Sequence, residues 1–145
     1  MKSSKQVILA MILLLSGIFA DAAHHPFYGR FSSWDGLPES PVSTVCQDGF
    51  GRIWVGTRAG AYYYTGEKYI KFDNPDFLDG CSANIAKIIL DAEGFVWIAT
   101  SDGVGYYDPF SDVFTLINDL DKVPVRDIEI ALDGLVWLTS SEGIW

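Results

Sequence analysis

The sequence feature that most constrains the fold is a thirteen-residue motif that occurs three times. Its pattern is D-x-x-G-x-x-W-x-x-T-x-x-G, and the copies follow one another at intervals of about 40 residues. In the third copy Ala131 replaces the Asp and Ser140 replaces the Thr. The positions that keep their residue type are Asp48, Gly51, Trp54, Thr57, Gly60, Asp91, Gly94, Trp97, Thr100, Gly103, Gly134, Trp137 and Gly143. Such a repeat predicts an architecture built from copies of one supersecondary unit.

The first two copies have the pattern of a four-stranded antiparallel sheet, and the third copy has part of it. A strand-like run precedes the motif, and the D-x-x-G segment predicts a tight turn because Gly accepts a positive φ. The Trp lies on a second strand, an aromatic third strand follows the last Gly, and the first two copies add a fourth strand. Four short strands in every ~40 residues predict a β-propeller blade. We therefore predict an all-β fold, a partial β-propeller of about 2.5 four-stranded blades.

The N-terminus has the pattern of a secretory signal peptide. Lys2 and Lys5 precede an apolar run at residues 7–15, and Ala20 and Ala22 form an A-x-A-like cleavage site. The apolar run is shorter than the roughly 20 residues that span a bilayer, and an uncleaved anchor is the alternative. We predict a signal peptide over residues 1–22 and a periplasmic or extracytoplasmic location for the rest.

Residues 23–145 are predicted to form the incomplete propeller. Its predicted parts are an outer strand at 27–32, a blade at 42–72, a blade at 85–117 and a partial blade at 125–145. The outer strand resembles the fourth strands of the repeats, but no first three strands precede it. Because such an arc has unpaired strand edges, we expect the remaining blades of a longer chain, or a second copy in a homodimer, as partners.

The repeated Trp is expected to pack between neighbouring blades. A large flat ring fills the gap between two twisted sheets, and its N–H needs an acceptor. The alternative is that Trp54, Trp97 and Trp137 form a row that stacks on sugar rings. Their apolar, strand-like neighbours favour the packing role.

Charge and residue types argue against several classes of function. The formal net charge of −9 disfavours nucleic acid as a partner, since binding phosphates needs clustered Lys and Arg. The two His residues, His24 and His25, lie next to the signal peptide, so we predict no catalytic residues, no metal site and no cofactor. Cys46 and Cys81 are either a buried thiol and a loop thiol or a disulfide pair.

One acidic segment resembles a calcium-binding loop only superficially. Asp73, Asp76 and Asp79 occupy every third position, whereas an EF-hand loop places its acids at alternate positions. We predict a solvated loop here, and weak calcium binding is the alternative.

The strand order predicts where a ligand would bind. The connection into each first strand and the turn after each second strand should emerge on one face, and the D-x-x-G turns on the other. On the first face Trp34, Arg58, Asp102 and Glu142 offer stacking and hydrogen bonding, and they are the candidate ligand-binding residues. An ordinary exposed loop is the alternative for each.

The segment WDGLPESPVSTVCQDGFGRIWVGTRAGAYYY resembles the first blade of the two-component-regulator propeller proteins. Asp35-Gly36-Leu37 and the residues from Gln47 to Gly60 match that family's pattern. The second copy has Ala99 in place of a Gly, and the third copy departs further. The resemblance implies one or two propellers after a signal peptide, then a β-sandwich, a membrane helix and a cytoplasmic histidine kinase.

The resemblance also implies a function. Many such proteins, in gut Bacteroidetes, detect glycan breakdown products, so we expect an extracytoplasmic sensor propeller with an oligosaccharide as its ligand. The kinase module is not among these 145 residues, and contact with a membrane is expected only through the signal sequence or a downstream helix. The alternatives are a propeller enzyme, a lyase or glycosidase with catalytic residues in further blades, and a structural spacer.

Overall fold

The computed structural model describes residues 29–120 and 122–145. The chain divides into two units, Met1–Arg30 and Phe31–Trp145, and only Gly29 and Arg30 of the first unit are described. The strands belong to the second unit. The predicted signal peptide, residues 1–22, and both His residues lie outside the described residues. No helix within the described ranges is long and apolar enough to cross a membrane.

The second unit consists of three antiparallel sheets of four, four and two strands, each a simple meander. Blade 1 contains β1 (Val42–Gln47), β2 (Ile53–Thr57), β3 (Gly60–Tyr64) and β4 (Tyr69–Lys71). Blade 2 contains β5 (Ile85–Leu90), β6 (Val96–Thr100), β7 (Gly103–Asp108) and β8 (Val113–Leu116). Blade 3 contains β9 (Val125–Ile130) and β10 (Val136–Ser140), and Ile144 bridges to Thr139 beside β10. The predicted all-β, partial propeller fold is confirmed.

The copies share the details of their strand pairing as well as their order. In each blade the pairing between the first two strands contains a register shift. The shift lies at Val42/Thr44 in blade 1, at Ile85/Lys87 in blade 2 and between Thr139 and Ser140 in blade 3. A bulge at this place increases the local twist of the strand. The D-x-x-G turns also agree, because their glycines have φ between 80° and 95°.

The acidic segment after blade 1 forms a helix, so the predicted loop was wrong, although Asp73, Asp76 and Asp79 are exposed to solvent as predicted. Helix α1 (Pro75–Gly80) begins after Asn74, whose Oδ1 accepts hydrogen bonds from the N–H groups of Asp76 and Phe77 at 3.1 and 3.3 Å. Pro at the first helical position is favourable because its missing N–H would have no partner there. Phe77 is only 1% exposed, and its burial holds the helix on blade 2.

The segment before blade 1 differs from the predicted outer strand. The structure assigns no strand to residues 29–32, and residues 27 and 28 are not among those described. A strand needs a neighbour to hydrogen-bond, and none of the described strands pairs with this segment. A 3-10 helix, Ser33–Asp35, follows instead, and the Phe31 ring packs against Tyr64 and Tyr69 with centroids 5.3 and 5.4 Å away.

The core lies mainly between the blades. Trp54 is 0% exposed, and its ring contacts Tyr63 and Phe72 in blade 1 and Tyr107 in blade 2. Trp97 is partly buried in a second cluster that joins blade 2 to blade 3. The structure thus gives Trp54 and Trp97 the predicted packing role, whereas Trp137 is 50% exposed. Cys46 and Cys81 pack beside the first cluster, and no disulfide joins them.

Polar contacts also join neighbouring blades along their first strands, β1, β5 and β9. Ser43 Oγ donates a hydrogen bond to the backbone oxygen of Ile85 at 2.7 Å. Lys87 on β5 forms an ion pair with Asp127 on β9 at 2.8 Å. These contacts fix the spacing of the first strands, although an exposed ion pair contributes less than about 1 kcal/mol.

Blades 1 and 2 approach each other closely at Gly56 on β2. A Cβ at this position would lie 2.6 Å from methyl carbons of both Thr44 and Ile85. The equivalent position in blade 2 is Ala99, and the residue equivalent to Ile85 is the smaller Val125; both are buried in the second cluster. The two pairs, Gly56–Ile85 and Ala99–Val125, thus have similar summed residue volumes, but the volume is distributed differently between the two residues of each pair.

We predict that Gly56→Ala lowers the free energy of unfolding by about 1–3 kcal/mol, because the added methyl overpacks this interface. In the double variant with Ile85→Val, the loss should be smaller than the sum of the two single losses, since the shorter side chain can move away. Urea denaturation of the four proteins measures this. Gly49→Ala is the control, since nothing lies within 4 Å of its Cβ position; an equal loss there would contradict the overpacking argument.

Candidate functional site

The turns after the second strands hold three of the four predicted ligand-binding residues. Arg58, Asp102 and Glu142 occupy these turns in blades 1, 2 and 3. In blade 2 the turn meets the connection into β5, where the Ser101 N–H donates to the Asn84 oxygen at 3.0 Å. In blade 2, therefore, the connection into the first strand and the turn after the second strand lie on the same face, as predicted.

Asp102 has a structural role on this face. Its Oδ1 accepts hydrogen bonds from the Ser82 N–H at 2.6 Å and from Thr100 Oγ1 at 3.1 Å. Its backbone oxygen accepts a further bond from the Lys122 N–H at 2.8 Å. Asp102 thus joins the connections that lead into β5 and β9. Arg58 and Glu142 are exposed, and a ligand role for all three stays a prediction.

Trp34 lies elsewhere. It is 96% exposed and sits two residues before Gly36, which contacts the backbone of Tyr69 at the start of β4. Tyr69 pairs with Tyr64 at the end of β3, whereas Arg58 lies beside the beginning of β3. The structure therefore brings the Trp34 segment to the outer strand of blade 1 and does not group it with Arg58.

The strongest polar arrangement is one that the sequence reasoning missed. Trp54 Nε1 donates to Asp48 Oδ2 at 2.8 Å, and Trp97 Nε1 donates to Asp91 Oδ2 at the same distance. The first and seventh positions of the motif are therefore direct partners. The signal in the sequence was the fixed spacing of six residues between Asp and Trp. In the third copy Ala131 has no carboxylate to offer, and Trp137 is 50% exposed.

Asp48 also organises its own turn. Its Oδ1 accepts the N–H groups of Phe50 and Arg52, both at 2.9 Å, and its Oδ2 accepts Arg52 Nε at 2.6 Å. Burial alone would raise the pKa of this carboxyl, but the hydrogen bonds from Trp54 and Arg52 outweigh it and lower the pKa below its ordinary value. Asp48 is therefore held ionised within the core.

The Arg52 guanidinium extends this arrangement over aromatic rings. Its Cζ lies 5.5, 5.6 and 5.3 Å from the ring centroids of Phe50, Trp54 and Tyr63. Cation–π contacts of this kind add roughly 0.5–1 kcal/mol each at partly exposed sites. Together, the Asp48 carboxylate, the Arg52 guanidinium and these rings form a structural centre, because the carboxylate accepts four hydrogen bonds from within the fold and Arg52 Nε is paired with it; the buried Arg52 Nη2 has no hydrogen-bond partner among the described residues.

The described geometry defines this chain as a propeller-type repeat protein, and one family model matches a segment that contains most of its first motif copy. Residues 36–59 match the model of the family described as two component regulator propeller. This match confirms the resemblance that the sequence indicated for this segment. Among proteins with a curated description, none matches the chain.

Solved structures with a similar fold include two from B. thetaiotaomicron. One is the extracellular domain of BT3049, described as a hybrid two component system, with 18% identity and a TM-score of 0.63 over 76% of this chain. The other is the extracellular domain of BT4673, also described as a hybrid two component system, with 22% identity and a TM-score of 0.56 over 72% of this chain. The matched part spans only 17% and 15% of those domains.

A lyase has a similar fold as well. The streptogramin B lyase structure matches with 16% identity and a TM-score of 0.52, over 75% of this chain and 41% of the lyase. At these identities, each of the three likenesses concerns the fold alone. Within the described ranges, no group of three or more His, Cys, Asp or Glu residues could hold a metal ion.

We predict that acid weakens the folded state through Asp48. Because its pKa is lowered on folding, the ionised carboxylate contributes stability that is complete above the unfolded pKa of about 3.9 and is lost as the pH falls through the folded value. The free energy of unfolding should therefore fall more steeply below about pH 4 for the natural chain than for Asp48→Asn. Asp133→Asn, which removes an exposed carboxylate, is the charge control; a parallel pH profile for Asp48→Asn would contradict the argument.

The third copy of the motif lacks the Asp–Trp hydrogen bond, so the bond can be added there instead of removed. Ala131 keeps the turn hydrogen bonds of the other copies, because its N–H donates to Leu135 and its oxygen accepts from Gly134. We predict that Ala131→Asp supplies the missing acceptor for Trp137 and raises the free energy of unfolding by about 0.5–1.5 kcal/mol. Thermal and urea denaturation measure the change. In an Ala131→Asp, Trp137→Phe double variant the gain should disappear; a gain that persists would exclude the indole as its source.

Proposed function

We propose that this chain forms part of the extracytoplasmic sensing region of a two-component system. The observation that carries the proposal is the two component regulator propeller match at residues 36–59, set within blades that repeat the same motif. The fold it shares with extracellular domains of two hybrid systems from B. thetaiotaomicron supports the same role. Because the matched part is a small fraction of those domains, the signalling activity would belong to a larger protein.

The ligand proposed for this region is an oligosaccharide. The turns after the second strands supply exposed polar side chains at regular intervals, with Arg58 in blade 1 and Glu142 in blade 3. Charged and amide groups of this kind hydrogen-bond sugar hydroxyls, and Arg can also stack on a sugar or aromatic plane. Asp102 would shape the face rather than contact the ligand, since its carboxylate accepts bonds from Ser82 and Thr100.

Binding rather than catalysis is the proposed role of these residues. The fold of the streptogramin B lyase shows that propellers also support enzymes, but fold does not determine function. In this chain the most strongly hydrogen-bonded acid, Asp48, is enclosed by its partners and is 4% exposed, so it is not open to a substrate.

Isothermal titration with malto-, cello-, xylo- and mannohexaose tests the proposal on the full chain. We expect one of these saccharides to bind, and we expect Arg58→Ala and Glu142→Ala each to weaken binding by about tenfold, which corresponds to one charged hydrogen bond. Lys68→Ala and Glu93→Ala are matched charge controls in turns at the opposite ends of the strands. If no saccharide binds, the oligosaccharide part is wrong; if the controls weaken binding equally, the chosen face is wrong.

A further inference from the structure

A cavity of about 220 Å³ lies outside the turns considered above, where blade 1 meets blade 2. The rings of Tyr63, Phe72 and Tyr107 line it on the apolar side. The Phe72 and Tyr107 rings contact each other with centroids 4.9 Å apart, so this wall is continuous across the interface. The cavity is therefore an aromatic recess at a junction that the fold holds in place.

The polar lining of the cavity consists mainly of hydrogen-bond acceptors. Asp73 and Asp112 contribute carboxylates, and the Tyr107 hydroxyl already donates its proton to Asp112 Oδ1 at 2.7 Å. The hydroxyl oxygen can therefore only accept, and the Arg52 guanidinium is a donor already beside it. Asn74 also lines the cavity, but its Oδ1 accepts the first N–H groups of α1 and its amide nitrogen donates to the Asp112 backbone oxygen at 3.4 Å. A ligand that fits must donate hydrogen bonds.

The charge around the cavity favours a cation. Arg52 is the nearby positive group: its Nε pairs with Asp48 at 2.6 Å, and its charge also acts on Tyr107, whose pKa it lowers in part. Asp73 and Asp112 then leave a net negative charge beside the rings of Tyr63, Phe72 and Tyr107, of which Phe72 and Tyr107 are each only 5% exposed. Burial, together with the hydrogen bond to Asp112, raises the pKa of Tyr107 to about 12, so its hydroxyl stays neutral near neutral pH. Carboxylates and aromatic faces are the two groups that bind ammonium ions most strongly.

We propose that this cavity binds the primary ammonium group of a small aliphatic amine. The ammonium would donate to Asp112 and Asp73, and its alkyl chain would lie along the rings of Tyr63 and Phe72. Such a group could come from a free amine or from a lysine side chain, which have the same chemistry. This site is separate from the turn face proposed for an oligosaccharide, so either can exist without the other.

Isothermal titration of the full chain with 1,4-diaminobutane and with 1,4-butanediol tests the charge requirement directly. The diamine should bind at least about tenfold more tightly than the diol, since a charged hydrogen bond contributes on the order of 1.5–3 kcal/mol. A third arm uses the amide of N-acetyllysine, which tests whether a peptide side chain can enter. Equal binding of diamine and diol, or no binding of either amine, would overturn the proposal without using any variant.

Variants then locate the site. Asp112→Asn is a conservative change, because Asp112 has φ 58° and Asn tolerates this left-handed conformation well. We expect Asp112→Asn to weaken diamine binding about tenfold and Asp73→Asn to weaken it by a smaller factor. Glu93→Gln removes an equal charge from an exposed turn and should leave binding within about twofold. Equal weakening by Glu93→Gln, or none by Asp112→Asn in a chain with natural near-UV dichroism, would show general attraction to an acidic surface and refute the site.

Discussion

The hydrogen bond between the first and seventh positions of the motif is the interaction on which the rest of the structure depends. A buried indole must donate its N–H, and the Asp carboxylate of the preceding turn accepts it in blades 1 and 2. The same carboxylate accepts N–H groups of its own turn, so one side chain fixes both the turn and the ring. Packing between blades then becomes possible, because the ring is held in a single orientation.

The interfaces between blades show how one motif tolerates different neighbours. Blade 1 places Gly56 against Ile85, while the corresponding residues of the next interface are Ala99 and Val125. The geometry of each interface is thus set by a pair of residues on different blades. A repeat can vary along the chain as long as the summed volume of each pair is preserved.

Much of this fold could be predicted from the sequence, because turn glycines and strand periodicity are local signals. The first strands of all three blades lie at the predicted residues. The helix at Pro75–Gly80 was missed because its acidic residues suggested solvent, although Asn74 and Pro75 form a recognisable helix start. The position of Trp34 could not be predicted, since it depends on the contact of Gly36 with Tyr69, more than 30 residues away. The candidate ligand residues remain predictions for the same reason: no local pattern reveals what a loop binds.

The packing of Trp54 and Trp97 against the following blade has a consequence for synthesis. Trp54 is covered by Tyr107 and its neighbours, which lie about 50 residues later in the chain and emerge from the ribosome correspondingly later. During translation blades 1 and 2 therefore each leave a hydrophobic ring uncovered until the successor has been made. A blade whose successor has not yet been made thus exposes apolar surface of the kind that chaperones bind.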